Sequence, residues 1–96
     1  MLALRPSCEC CEKALPPDAR DAMICSFECT FCEACALSRL SNVCPNCGGG
    51  FQPRPIRPKA MLERRPASTD VHPAGVDEQQ HRAFLDRYST IEPSER

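Results

Sequence analysis

The sequence predicts a small metal-stabilised α+β fold: a cysteine-rich head with little regular structure, then a proline-rich linker and one C-terminal helix. Three observations predict it. All nine cysteines lie between Cys8 and Cys47, whereas seven of the ten prolines follow Cys44. The chain has 96 residues, five aromatic side chains and no Trp, too few to close a large apolar core. A fold below about 70 residues usually needs disulfides, a metal or a partner. Finally, Phe84, Leu85, Tyr88 and Ile91 recur at helical spacing behind a capping residue, Asp77.

The head spans residues 1–51, the linker 52–76 and the helix 77–92. Met1 to Leu4 is an apolar lead-in that stops at Arg5-Pro6, far short of a signal-peptide core. Leu15-Pro16-Pro17-Asp18 reads as a turn. Ala22 to Phe27 suits a short strand. Glu33 to Leu40 suits two helical turns with Leu37 and Leu40 on one side, ended by Ser41-Asn42. Gly48-Gly49-Gly50 reads as a flexible exit. Pro53 to Pro58 favours extended polyproline geometry, which cannot enter a helix or a central strand. Lys59 to Arg65 allows one turn, and residues 66–76 read as linker. Asp77 caps a helix whose N3 residue is Gln80, a variant of the capping box. Glu92-Pro93 ends it. At about 13–15 residues such a helix is marginal alone in water, so its stripe must dock on the head, on a second copy or on a partner.

The net charge of −1 conceals an uneven distribution. Residues 1–51 carry four basic and six acidic side chains, residues 52–65 five basic and one acidic, and residues 66–96 three basic and six acidic. A segment of +4 thus separates two acidic ones. No window approaches the ~20 apolar residues of a membrane span. A reducing, cytoplasmic location is expected, where clustered cysteines bind metal or do redox chemistry rather than form disulfides. The odd cysteine count also argues against a pure disulfide framework.

The cysteines run Cys8-x2-Cys11, Cys25-x3-Cys29-x2-Cys32-x2-Cys35 and Cys44-x2-Cys47, with Cys10 inside the first pair. Two intervening residues let one tight turn present both sulfurs to an ion at the ~2.3 Å of a zinc–thiolate bond. Eight sulfurs suit two Zn2+, each in a closed tetrahedral set that is structural rather than catalytic. Iron–sulfur ligation fits less well, because cluster motifs usually group three ligands and place the fourth apart.

The local text Cys29-Thr30-Phe31-Cys32-Glu33-Ala34-Cys35-Ala36, followed by Cys44-Pro45-Asn46-Cys47, resembles the cross-brace run of RING fingers, a treble-clef type of zinc fold. Cys29 stands where RING domains commonly have His. The resemblance implies that Cys8, Cys11, Cys32 and Cys35 share the first zinc, and Cys25, Cys29, Cys44 and Cys47 the second. A sequential grouping, Cys8, Cys11, Cys25 and Cys29 and then the other four, remains open to spacing alone. Cys10 is the spare. The head also resembles a bacterial family of short cysteine-rich proteins catalogued as domain of unknown function 1272. The matching text is Leu4-Arg5-Pro6, Cys8-Glu9-Cys10-Cys11, Leu15-Pro16-Pro17, Ile24 to Cys32, Cys44 to Gly49, Arg54-Pro55 and Arg57-Pro58. That resemblance covers roughly residues 1–58 and implies no activity.

Function is weighed between classes. A ubiquitin-ligase reading is poorly matched: Glu9 and Cys10 sit between the first ligands where an apolar contact is typical, no Trp lies on the helix, and Gly48 follows Cys47. Pro45 alone is explained by the shape of the knuckle. Nucleic-acid binding through Arg54, Arg57, Lys59, Arg64 and Arg65 is an alternative. Against it, eight thiolates with two Zn2+ add a formal −4 to the head's −2, which repels phosphate. His72 and His81 sit apart from the cysteines and read as solvated residues, so no acid–base constellation forms and no enzyme is expected. The expectation is a non-catalytic protein-interaction or adaptor module, docking another protein through Phe84, Leu85, Tyr88 and Ile91 or through Pro53–Pro58.

Overall fold

In a computed structural model describing all 96 residues, the chain runs β1 (Ala22–Ile24), β2 (Thr30–Cys32), a π-helix (Ala34–Arg39), β3 (Gln52–Pro53), α1 (Lys59–Leu62), α2 (Glu78–Tyr88) and a 3-10 turn (Pro93–Glu95). The strands form one antiparallel sheet in the order β2-β1-β3. Met23 of β1 stands opposite Phe31 on one side and Pro53 on the other. Pro53 has no N–H to give a further neighbour, which suits its place on an edge strand.

β1 stops at Ile24, short of the Phe27 expected from the apolar run. The reason is a hairpin turn. Glu28 N donates to Cys25 O at 3.0 Å, Cys25 N donates to Cys29 O at 3.2 Å, and Glu28 takes a left-handed φ of 65°. Phe27 is left at the tip, 70% exposed.

The helix expected over 33–40 forms as the wider-turned π-helix. Leu40 N donates to Cys35 O, five residues back, at 2.8 Å. Three residues fall well short of one turn in this winding, so Leu37 and Leu40 do not share a face. Leu40 is buried, and Leu37 is exposed.

Phe31 and Phe51 meet edge-on at the centre, ring centroids 5.3 Å apart. Around them, six of the thirteen residues in the buried apolar cluster are cysteines. The core is therefore built as much from sulfur as from hydrocarbon. Whatever holds the sulfurs together holds the fold.

The basic segment does not start as free chain. Arg54, expected among surface cations, is buried, and its guanidinium donates to Arg5 O (2.9 Å), Leu15 O (3.2 Å) and Pro16 O (2.9 Å). Burial without a carboxylate pulls its pKa below the ordinary guanidinium value. It closes the lead-in and the Pro16-Pro17 turn onto the end of the sheet. Arg57 donates to Leu2 O and to Arg65 O, each at 2.6 Å, joining three chain segments.

The tail returns to the head. Ser68 N donates to Ala3 O at 2.9 Å and Gly75 N to Glu9 O at 3.0 Å, so residues 66–76 lie along the lead-in and the first knuckle. The Asp77 carboxylate accepts Gln80 N at 3.0 Å, the cap that the sequence predicts. α2 ends at Tyr88 rather than running on to 92. His81, expected to be solvated, is buried, with Nε2 3.1 Å from Leu40 O. Phe84 and Tyr88 pack on Gly48, Pro93 packs on Gly50, and Arg96 donates to Asn42 O and Gly48 O at 3.0 Å each. Gly48 and Gly50 are a seat for this strap rather than a flexible exit. No helix is long and apolar enough to cross a membrane.

Candidate metal centres

Two knuckles share one backbone design. Glu12 N donates to Cys8 O at 3.0 Å, and Gly48 N to Cys44 O at 2.8 Å. In both, the residue after the second cysteine has a left-handed φ, 67° at Glu12 and 79° at Gly48. Each turn aims its two sulfurs to one side. The β1–β2 hairpin presents Cys25 and Cys29. The end of β2 and the start of the π-helix present Cys32 and Cys35.

The sulfurs of Cys8, Cys11, Cys32 and Cys35 all lie within 4.8 Å of one another. Cys25, Cys44 and Cys47 make a second such group. Cys29 lies outside that group, and its thiol shifts the titration of both Cys25 and Cys44. The fold therefore brings pairs one and three together, and brings Cys25 of pair two to pair four. Cys10 belongs to neither group.

The geometry fits a tetrahedral ion. Bonds of ~2.3 Å set tetrahedral ligands about 3.8 Å apart, and the Cys11 and Cys32 sulfurs are 3.8 Å apart. That is far beyond a disulfide bond, and all nine cysteines are free thiols. An all-sulfur donor set suits a soft or borderline dication. The two groups are thus able to hold metal ions, consistent with zinc.

Backbone amides support the sulfurs, as second-sphere partners of metal ligands do. Cys10 N and Cys11 N donate to Cys8 Sγ at 3.4 and 3.5 Å, Phe27 N to Cys25 Sγ at 3.3 Å, and Gly49 N to Cys47 Sγ at 3.4 Å. Asn46 Nδ2 donates to Cys29 Sγ at 3.4 Å. Without metal, the thiols share protons unevenly. Hydrogen bonds from Cys29 and Cys44 lower Cys25 to about 3. Cys44 is pushed up by its contacts with Cys25 and Cys29. Burial pushes up Cys35 and Cys32. Cys11, the exposed member, is lowered chiefly by a hydrogen bond from the Lys13 backbone.

Glu9 has a structural task that spacing does not reveal. It is buried; its carboxylate accepts Thr30 N at 2.6 Å and pairs with Arg5 at 3.0 Å, while its own N–H donates to Thr30 O at 2.9 Å. It rivets the first knuckle to β2, which carries Cys32. A carboxylate between two ligand cysteines was the only signal available, and it reads equally well as a solvated charge.

The groups differ in exposure. Beside the first, a groove of about 720 Å³ is lined by Cys11, Cys32, Cys35, Lys13 and Asp21 among others, with Lys13 and Asp21 ion-paired across it. The second lies next to the strap of Tyr88, Pro93 and Arg96. His72 joins neither group, and His81 serves the strap.

Residues 1–57 match the model of a family described as protein of unknown function (DUF1272). A curated relative, the uncharacterized protein R02474 of Rhizobium meliloti (strain 1021), is 62% identical over 69 residues, which is 72% of this chain and 82% of the relative. No solved structure matches.

Proposed function

The chain belongs to the family described as protein of unknown function (DUF1272), and from that premise we propose that it is a two-zinc, non-catalytic adaptor with a RING-like cross-braced head. Cys8, Cys11, Cys32 and Cys35 hold the first zinc, and Cys25, Cys29, Cys44 and Cys47 the second. The observation that carries this reading is the sulfur grouping: knuckles distant in sequence meet within 4.8 Å, alternating along the chain. Zinc bound by four thiolates supplies cross-linking, with no coordination position left for a substrate. The chain's own residues then do the holding: Glu9 fixes the first knuckle, and the amides of Cys10, Cys11, Phe27 and Gly49 steady the sulfurs.

Two other readings lose support. For nucleic acid, Arg54 faces inward and Arg57 is spent on carbonyls, leaving Lys59, Arg64 and Arg65 as the exposed cations of the segment. For ligase-like activity, Pro45 is buried and Glu9 is committed to Thr30 and Arg5.

The test uses the full chain, because Phe51 and Arg54 belong to the head's packing. Elemental analysis should give two zinc ions per chain. Each structural zinc is worth roughly 10–16 kcal/mol at neutral pH, so a strong chelator should unfold the head. Tagged, zinc-loaded protein drawn from nuclease-treated lysate should retain a specific protein. Retention of nucleic acid alone from untreated lysate, with nothing retained from the nuclease-treated lysate, would reverse the adaptor reading.

A further inference from the structure

We propose that the Pro55–Pro58 ridge, with the concavities on either side of it, is the adaptor's docking face, and that it takes an acidic protein segment carrying apolar side chains. This rests on the adaptor reading above and names the partner's chemistry.

Ile56 is 51% exposed at the crest of the ridge. On one side, Met1, Leu2 and Pro55 help line a concavity of about 270 Å³. On the other, Pro58 and Leu62 help line one of about 450 Å³. Both share Ile56 and Arg57. The shape is built rather than incidental. Arg57 ties the lead-in at Leu2 to Arg65, three residues past α1, fixing both walls from the ridge between them. An exposed large aliphatic side chain flanked by two apolar hollows is the form of an anchor site.

Charge selects the occupant. The structure has two ion pairs, Arg5–Glu9 and Lys13–Asp21, and both lie in the head. Lys59, Arg64 and Arg65 are exposed and pair with no carboxylate. Asp18 at the rim of the larger hollow and Glu63 just after α1 oppose them, and the cations remain in excess. An acidic segment would answer that excess.

The lining argues against a nucleic acid. Neither hollow has an aromatic ring for a base to stack on. The four residues of α1 are too short for an amphipathic helix lying in a membrane surface. The mode of docking is also restricted. Pro53, Pro55 and Pro58 remove amide donors along this stretch, so the partner is held by side chains and charge rather than added as a strand.

The test measures fluorescence anisotropy with a labelled peptide of Glu and Asp bearing Leu and Ile at every third or fourth position. Controls are the same peptide with Ala for its apolar residues, one with Lys for its acids, and a single-stranded DNA oligonucleotide. The zinc-loaded full chain should bind the first peptide saturably and more weakly as salt rises. It should bind the three controls poorly. Ile56→Ser and Lys59→Glu with Arg65→Glu are surface changes that should keep both zincs, and each should weaken binding by about tenfold or more. The proposal is overturned by absence of saturable peptide binding, by unchanged binding in Ile56→Ser, or by preference for the oligonucleotide. A dimer that Ile56→Ser dissolves would assign the face to a second copy and also overturn it. If the peptide fails while a nuclease-resistant protein partner is still retained from lysate, this face is wrong and the adaptor reading stands.

Discussion

Gly48 and Tyr88 meet so closely that a Cβ on the glycine would stand 2.8 Å from Tyr88 Cε2 and 3.0 Å from Phe84 Cδ1. The glycine also has a φ of 79°. Two constraints therefore coincide where the second knuckle meets the tail. The left-handed turn directs Cys44 and Cys47 inward, and the missing side chain makes room for α2.

Gly48→Ala should destabilise the zinc-loaded protein by about 1–3 kcal/mol, from left-handed strain and overpacking together. In a Tyr88→Ala background the cost should shrink, because the closest contacts have gone and only the strain and the Phe84 contact are left. Denaturation midpoints of the four proteins in this cycle give the coupling. Glu12 occupies the equivalent place in the first knuckle with no α2 above it. Glu12→Gly should therefore be close to neutral, its relief of about 1 kcal/mol offset by glycine's entropy of similar size.

Arg54→Ala should cost about 3 kcal/mol of stability, since a charged donor to three carbonyls disappears and buried acceptors lose their partner. Arg54→Lys should not restore it, because an ammonium lacks the planar fork that reaches Arg5 O, Leu15 O and Pro16 O together. Thermal melts of the zinc-loaded variants check this. Wild-type stability in Arg54→Lys would contradict it.

Metal loading should release protons. Cys44 is pushed up by Cys25 and Cys29, and Cys35 by burial, so both thiols are protonated in the metal-free chain at neutral pH and must lose that proton to bind. The metal-free state holds more protons, so acid favours it, and apparent zinc affinity should fall as pH falls. Calorimetry in buffers of different ionisation enthalpy measures the release directly. An affinity independent of pH would contradict it.

That the cysteines gather into groups able to hold metal was legible because a two-residue spacing has a direct geometric meaning, whereas which sulfurs share an ion was left open by spacing alone. The α2 cap was legible because Asp77 and Gln80 interact locally. What escaped depends on contacts distant in sequence. Arg54 reads as one cation in a basic run, and only the fold turns it onto carbonyls 38 to 49 residues away. His81 reads as solvated until α2 lays it against Leu40. Three consecutive glycines read as slack, although Tyr88 and Pro93 occupy the space that side chains at Gly48 and Gly50 would fill. The winding of Ala34–Arg39 was illegible for another reason: Leu37 and Leu40 fit an α-helical face, and a five-residue hydrogen bond leaves no mark in composition.

The central claim is the alternating assignment of cysteines to two metal ions. Cadmium-substituted protein, examined by 113Cd–1H correlation spectroscopy, tests it most directly, because each ion couples to the β-protons of its own ligands. The predicted result is two cadmium resonances, one coupled to Cys8, Cys11, Cys32 and Cys35 and the other to Cys25, Cys29, Cys44 and Cys47, with Cys10 coupled to neither. One resonance coupled to Cys8, Cys11, Cys25 and Cys29 together, or any coupling to Cys10, would contradict it.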